Sequence, residues 1–186
     1  MIIAITGGIG SGKSVVSQLL RVMGHAVYDC DKEAQRLMAE NLKLRQQLCD
    51  AFGTETYTAE GKINKPYLIQ RIFSNPQELQ KMNSIVHPAV ARDFLASGIT
   101  FVESAILFEA GFDQLVKPDV IWSVTAPLEL RISRAMLRDH ADREKILARI
   151  NSQMDQEEKN KKADAIIWND GTHSIIAQVN GLLSGL

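Results

Sequence analysis

Cysteine is scarce in this chain of 186 residues, and long apolar runs are absent. The two cysteines, Cys30 and Cys49, are too few for a disulfide framework and too far apart for a paired metal site. This usage is typical of the reducing cytoplasm, so we expect a cytoplasmic protein. No apolar run approaches the roughly 20 residues that span a bilayer. No basic leader precedes the first apolar segment, so we expect a soluble chain without a targeting segment.

Neither sign of charge is in excess, because the formal net charge is −1. This balance argues against a nucleic-acid partner and against an acidic tail. A hydrophobic content of 45% and a charged content of 23% are ordinary for a globular protein. The length suits one domain with a small inserted subdomain, and the chain has no internal repeat.

A glycine-rich stretch near the start of the chain fits the phosphate-binding pattern G-x-x-x-x-G-K-S/T, read from Gly7 to Ser14. An apolar run at residues 1–5 predicts a buried strand before it, and residues 15–22 have helical spacing after it. Glycines let successive backbone N–H groups face an anion, and the helix start adds partial positive charge. The residues predicted to bind the nucleotide are Gly8, Gly10, Ser11, Gly12, Lys13, Ser14 and Val15. Within this set, Lys13 would reach the β- and γ-phosphates, and the Ser14 hydroxyl would bind Mg²⁺ carried by ATP.

Two carboxylates follow the second predicted strand, at Asp29 and Asp31. On an extended segment they would point to the same side, toward the edge of the sheet where ligands bind. The alternative is that one of them caps the helix that follows. We predict Asp31 as the base that takes the proton of an acceptor hydroxyl.

Residues 41–98 interrupt the alternation of strands and helices and read as mostly helical. We predict a helix at residues 42–52, a polar turn at 53–62, a helix capped by Asn64, and a further helix that starts at Asn75 and is interrupted at Pro88. This insertion is either a substrate-binding subdomain or a purely structural layer of helices.

Five apolar segments predict five strands with helices between them. The pattern indicates an α/β fold of the P-loop NTPase type, with three layers and a five-stranded parallel sheet. We predict a single domain with its core at residues 1–40 and 99–186 and the helical insertion at about 41–98.

Residues 131–162 are locally basic, with nine Lys/Arg against six Asp/Glu, and we predict that they supply a basic lid. Arg131, Arg134 and Arg138 follow one another at helical spacing and should share one face. Such a face is either solvated or an anion clamp, and we predict that Arg134 and Arg138, with Lys13, stabilise the transferring phosphates.

A phosphate-binding loop alone does not define a reaction. A regulatory GTPase needs an N-K-x-D motif, and in residues 160–164 the Asp comes one position too late. A mechanical or helicase-type ATPase needs a hydrophobic strand that ends in Asp-Glu, and the sequence has no such segment. A small-molecule kinase needs a base, an acceptor-binding insertion and a basic lid, and all three are predicted here. One alternative is another P-loop kinase that acts on a nucleoside monophosphate or a small sugar acid. The alternative from another class is a nucleotide sensor without catalysis, whose insertion binds a partner protein.

Several further motifs make the chain resemble the dephospho-CoA kinase family over nearly its whole length. They are T-G-G-I-G-S-G-K-S at Thr6 to Ser14, D-x-D-K at Asp29 to Lys32, R-I-F-x-N-P at Arg71 to Pro76, H-P at His87 and Pro88, L-F-E at Leu107 to Glu109, R-x-x-x-R at Arg134 to Arg138, Q-M-x-x-E-x-K from Gln153 to Lys159, A-D at Ala163 and Asp164, and N-x-G at Asn169 to Gly171.

The resemblance implies transfer of a phosphoryl group from ATP to the ribose 3′-hydroxyl of dephospho-CoA, with ATP and dephospho-CoA as the partners. It also implies a mobile helical lid at about residues 130–155 and acceptor contacts from His87 and Glu109, although a structural role for His87 is the alternative. Family members commonly have Asp where this chain has Glu103. Asp29, Glu103 and Glu109 are therefore three alternatives for a carboxylate that assists Mg²⁺.

Overall fold

The computed structural model describes residues 1–73 and 75–186, which form five strands and ten α-helices. Ser74, which lies within the R-I-F-x-N-P motif, is outside the described residues. The strands are β1 (Ile3–Thr6), β2 (Val27–Asp29), β3 (Phe101–Glu103), β4 (Val120–Thr125) and β5 (Ala165–Trp168). The helices are α1 (Lys13–Val22), α2 (Cys30–Glu40), α3 (Leu42–Phe52), α4 (Lys65–Phe73), α5 (Pro76–Ser97), α6 (Phe112–Val116), α7 (Leu128–Asp139), α8 (Arg143–Asn151), α9 (Gln156–Lys161) and α10 (Ile175–Ser184). None of these described helices is both long and apolar enough to cross a membrane.

The strands form one sheet in the order β2-β3-β1-β4-β5, with β1 at its centre. β1 runs parallel to both of its neighbours, pairing Ile3 with Phe101 on β3 and with Val120 on β4. β4 in turn runs parallel to β5. The predicted α/β fold with a five-stranded parallel sheet is therefore confirmed. The carboxyl ends of β1, β3, β4 and β5 lie at the same edge of the sheet, which is where ligands bind in folds of this kind.

The core forms where apolar strand residues meet α1 and α10. All four residues of β1 are buried, and so is Trp122 at the middle of β4. The buried cluster comprises Ile3, Ile5, Val16, Leu20, Phe101, Trp122, Val124, Ile167 and Val179. Removing such side chains from water supplies most of the stabilisation, at roughly 25 cal/mol per Å² of apolar surface.

The chain divides into two compact units, one made of Met1–Tyr28 with Ile99–Leu186 and the other of Asp29–Gly98. The second unit includes α2, so it begins earlier than residue 41, where we placed the start of the insertion. Between α3 and α4 this unit has a 3₁₀ helix, Thr54–Thr56, and an antiparallel bridge between Tyr57 and Ile63.

The predicted interruption at Pro88 is wrong, because α5 runs without a break from Pro76 to Ser97. Proline inside a helix removes a backbone hydrogen bond and clashes with the preceding turn, at a cost of about 3 kcal/mol. The buried face of α5 offsets this cost with Met82, Val86, Ala89, Val90, Ala91 and Phe94. Packing against α2, α3 and α4 therefore overrides the local preference of the sequence.

Candidate active site

The loop that follows β1 ends at Gly12, and α1 begins at Lys13. Gly10 and Gly12 have φ values of 76° and 98°, which side chains rarely tolerate. A Cβ on Gly10 would lie 2.2 Å from the backbone oxygen of Arg131, and one on Gly12 would lie 1.9 Å from Nδ2 of Asn169. Glycine is required at both positions, because of the backbone angle and because the loop passes so close to its neighbours.

Two N–H groups of the first turn of α1 are already used in backbone hydrogen bonds. Val15 and Val16 donate their N–H groups to the backbone oxygen of Gly12, at 2.9 and 3.3 Å. The Ser14 side chain is exposed at this helix start. Unsatisfied N–H groups and the helix dipole make such a position favourable for an anion. The structure thus brings together, in this loop and turn, the seven residues predicted to bind the nucleotide.

Side chains from the C-terminal half of the chain hold the start of this loop. The Gly8 N–H donates to Gln156 Oε1 at 2.8 Å, and the Ile9 N–H donates to Gln153 Oε1 at 2.9 Å. Arg131 Nε donates to the Ile9 backbone oxygen at 3.0 Å. Gln153 belongs to the motif Q-M-x-x-E-x-K, but no signal in the sequence pointed to Gln156.

Asn169, in the loop after β5, links the phosphate-binding loop to α7. Its Nδ2 donates to the Ser11 backbone oxygen at 2.9 Å. Arg134 donates to the Asn169 backbone oxygen at 2.9 Å and to its Oδ1 at 3.3 Å. Asn169 was visible in the sequence as the first residue of the N-x-G element, without an assigned role.

The three arginines of α7 have three different environments. Arg131 is buried at 5% exposure, and burial lowers the pKa of its guanidinium. Arg134 contacts the loop after β5, as described above. Arg138 forms a two-point ion pair with Asp139, at 2.7 and 3.1 Å. Asp139 also accepts from Arg149 at 2.5 Å, and the two arginines hold the pKa of this carboxyl far below its usual range.

Glu103 lies at the end of β3, where it pairs with Ile5 on β1. Its Oε2 accepts a hydrogen bond of 2.5 Å from Ser17 Oγ on α1. Ser17 is one helical turn after Ser14, so the two serines lie on the same side of α1. The structure therefore places the Glu103 carboxylate against the helix that carries the phosphate-binding loop.

Glu109 forms an ion pair with Lys159 on α9, with Oε1 and Nζ 2.7 Å apart. The same oxygen accepts from the Met154 N–H at 2.9 Å. The Lys159 side chain is fully buried and also donates to the Ala105 backbone oxygen at 2.6 Å. Burial lowers the pKa of Lys159, and the bond to Glu109 partly opposes this shift. This pair ties α9 to the segment that follows β3.

A cavity of about 680 Å³ opens at the carboxyl ends of β4 and β5. It is lined by Thr125 and Trp168, the last residues of these strands, and by Arg131, Gln153 and Gln156. The side chains that hold the phosphate-binding loop therefore also border open space.

The second unit carries the other predicted site residues. Asp29 is the N-cap of α2, since its side chain accepts from the N–H groups of Asp31 and Lys32 at 3.1 and 3.0 Å. The expectation of an extended segment that carries both carboxylates is wrong, because α2 begins at Cys30 and Asp31 lies in its first turn. The Asp31 side chain is exposed, and His87 is half-buried on α5.

Over residues 1–73 and 75–186, no group of three or more His, Cys, Asp or Glu side chains could hold a metal ion. Mg²⁺ in nucleotide sites takes one or two protein oxygens and completes its shell with phosphates and water. The Ser14 hydroxyl and the Glu103 carboxylate are oxygen ligands of the type that Mg²⁺ prefers. Ser14 is in the first turn of α1, and Glu103, at the end of β3, contacts Ser17 on the same helix.

Comparison with known proteins identifies the family. A sequence model described as dephospho-CoA kinase matches residues 1–174. A dephospho-CoA kinase of Bacteroides fragilis (strain YCH46) is 44% identical over 191 residues, covering 99% of this chain and 92% of the relative. The crystal structure of TT1252 from Thermus thermophilus is 35% identical, with a TM-score of 0.82 and coverage of 100% and 97% of the two chains. A dephospho-CoA kinase from Campylobacter jejuni is 26% identical, with a TM-score of 0.67 and coverage of 98% and 95%. The resemblance drawn from the motifs is thus confirmed, and the chain belongs to the dephospho-CoA kinase family.

Proposed function

We propose that the protein transfers the γ-phosphoryl group of ATP to the 3′-hydroxyl of the ribose of dephospho-CoA. The products are coenzyme A and ADP, and the reaction completes coenzyme A synthesis. The observation that carries the proposal is the phosphate-binding loop at the centre of a parallel sheet, in a chain that the family model matches from residue 1 to 174.

The nucleotide phosphates would lie over the second half of the loop and the start of α1. The N–H groups of Gly8 and Ile9 donate to glutamine side chains, and those of Ser11 and Val15 donate to backbone oxygens. We therefore assign phosphate binding to the N–H groups of Gly10, Gly12 and Ser14. Lys13, at the first position of α1, would neutralise the β- and γ-phosphates with its ammonium group. Arg134 would neutralise further phosphate charge from α7.

Mg²⁺ would enter with ATP, and we assign the Ser14 hydroxyl as its ligand from the protein. Of the three candidate carboxylates, Glu103 is preferred, since its bond to Ser17 places it one helical turn from Ser14. Asp29 already caps α2, and Glu109 is bound to Lys159. When bound, the ion neutralises charge on the β- and γ-phosphates.

Asp31 would accept the proton of the attacking ribose hydroxyl. A new bond forms between the 3′-oxygen and the γ-phosphorus, the bond from this phosphorus to the bridging oxygen breaks, and ADP leaves. We assign dephospho-CoA binding to the helical insertion, at about residues 41–98, with His87 in the acceptor pocket. Glu109 is proposed as a further acceptor contact, through a carboxylate that Lys159 and the Met154 N–H hold in place.

Arg138 would complete the site when the lid, at about residues 130–155, closes over ATP. To reach a phosphate, Arg138 must exchange its ion pair with Asp139 for the more highly charged nucleotide. Closure would exclude water, which otherwise competes with the ribose hydroxyl for the phosphoryl group.

Purified protein with Mg·ATP and a panel of acceptors tests the proposal through ADP release. We expect dephospho-CoA to be the preferred acceptor over AMP, CMP and gluconate. An equal or higher rate with one of the others would assign the chain to a different metabolite kinase activity. Tight ATP binding without any acceptor-stimulated turnover would instead support a nucleotide sensor.

A further inference from the structure

Two glutamines far along the chain bind two N–H groups near the start of the phosphate-binding loop. Gln153 and Gln156, called here the glutamine pair, accept from the N–H groups of Ile9 and Gly8, at 2.9 and 2.8 Å. Their positions are separated from the loop by 144 and 148 residues. The contact is therefore tertiary and independent of the local sequence of the loop.

The orientation of Gln156 is set by its other partners. Its Nε2 donates to Asn160 Oδ1 at 2.9 Å and to Ser123 Oγ at 3.2 Å, so Oε1 is the atom left to face Gly8. The side chain is buried at 9% exposure. A buried amide with partners on both of its atoms is fixed in one rotamer, and it fixes the loop in turn.

The opposite side of the same peptide segment is fixed by Arg131. Its Nε donates to the Ile9 backbone oxygen, while Gln153 accepts from the Ile9 N–H. A Cβ on Gly8 would lie 2.2 Å from Arg131 Nη2 and 3.1 Å from Gln156 Oε1. A side chain at position 8 would therefore have to displace Arg131, and the backbone here is held on both sides.

We infer that Gln153 and Gln156 are positioning residues that shape the phosphate-binding loop for the nucleotide. By accepting from the N–H groups of Gly8 and Ile9, they fix the direction of the turn that presents later N–H groups of the loop to the phosphates. This inference rests on the proposed function only in requiring that the loop binds ATP. The pair acts on the phosphate end of the nucleotide and not on its adenosine end.

The chemistry of the pair fits this role. A carboxylate would accept the same N–H groups but would place a negative charge beside the phosphates, which raises the energy of the bound nucleotide. A neutral amide supplies the acceptor without that repulsion. The glutamine pair thus supports a cradle for an anion without opposing the anion.

The test compares Gln153→Met, Gln156→Met and Gln153→Glu with the wild-type protein. Methionine keeps the length of the side chain but cannot accept strongly from an N–H group. Gln18→Met, at an exposed position of α1, is the matched control. Binding of Mg·ATP, Mg·ADP and adenosine is measured by calorimetry or by competition, with the melting temperature recorded in parallel.

We expect Gln153→Met to weaken binding of Mg·ATP and Mg·ADP about fivefold, or about 1 kcal/mol, while adenosine binding changes less than twofold. Gln153→Glu should weaken the binding of Mg·ATP more than that of Mg·ADP, because ATP carries more negative charge for the new carboxylate to repel. The KM of Gln153→Met for dephospho-CoA should stay within twofold of the wild-type value. Gln18→Met should bind all three ligands as tightly as the wild type.

Unchanged Mg·ATP binding in a folded Gln153→Met protein would overturn the inference, as would an equal loss for adenosine. Should Gln156→Met fail to fold, Gln153→Met decides the question alone, since Gln153 is only half-buried. A wild-type protein that does not bind Mg·ATP would instead refute the proposed function, and the inference with it.

Discussion

Removing either charge of the Lys159–Glu109 pair should destabilise the protein, and removing Glu109 should cost more. The Lys159 side chain is 0% exposed, whereas the Glu109 side chain is 22% exposed. Lys159→Met leaves Glu109 with the Met154 N–H and a path to water. Glu109→Leu leaves a buried ammonium with the Ala105 backbone oxygen as its acceptor. The unpaired charge is therefore more costly in the second variant.

The magnitudes follow from the burial of each partner. At 2.7 Å the two charges attract by about 6 kcal/mol at an effective dielectric constant of about 20, and desolvation of the ions offsets much of this. Removing one partner of a buried pair costs about 3–5 kcal/mol. We expect about 4 kcal/mol for Glu109→Leu and about 2 kcal/mol for Lys159→Met, since Glu109 keeps part of its hydration. The double variant should cost less than the sum, because no unpaired charge remains.

Urea unfolding followed by tryptophan fluorescence measures these costs, since Trp122 lies in the core of the same unit. Lys161→Met is the matched control, because the ion pair of Lys161 with Glu158 is also 2.7 Å long but is exposed. Lys161→Met should destabilise the protein far less than Lys159→Met, because water screens an exposed ion pair. The reasoning would be refuted if Lys159→Met lowered the free energy of unfolding more than Glu109→Leu. It would also be refuted if the decrease in the double variant equalled the sum of the two single decreases.

Three further predictions concern the loop, the proposed base and the lid. Gly10→Ala should weaken Mg·ATP binding at least about tenfold, because its φ is 76° and its Cβ would lie 2.2 Å from the Arg131 oxygen; unchanged affinity in a titration would contradict this. Asp31→Asn should lower kcat by about 10²- to 10⁴-fold with the ATP Kd unchanged, and a kcat close to wild type would remove Asp31 from the mechanism. Asp139, whose pKa is lowered by Arg138, should stabilise the fold above about pH 4 and lose this effect as pH falls toward its folded pKa. The unfolding free energies of wild type and Asp139→Asn should thus differ by about 0.2–1 kcal/mol at pH 7 and converge in acid, and a constant difference would count against the ion pair.

The loop and the sheet could be predicted from the sequence because their signals are local. Residues 7–14 carry the glycine spacing, the lysine and the serine within one short segment. β1 and β4 read as short apolar runs because both faces of a parallel sheet are covered. The extended segment predicted to carry Asp29 and Asp31 was wrong, since the N-cap Asp29 allows α2 to begin at Cys30, directly after β2.

The supports of the site depend on tertiary contacts, which single-sequence patterns do not encode. The periodicity placed Arg131 on a charged face, yet this side chain is buried against Ile9. Gln156 looks like any polar residue at a helix start, although its amide faces Gly8. The helix α5 continues through Pro88 because burial of its apolar face offsets the energetic cost of the proline. This burial can be recognised only once the helices that pack against α5 are known.

Product analysis tests the central claim most directly. The wild-type protein is incubated with Mg·ATP and dephospho-CoA, and the product is examined by mass spectrometry and by ³¹P NMR. We predict a product heavier by one phosphoryl group, with a new phosphomonoester on the ribose 3′-oxygen and one ADP released for each product formed. A phosphate at another position, or ADP release without phosphorylated product, would contradict the account.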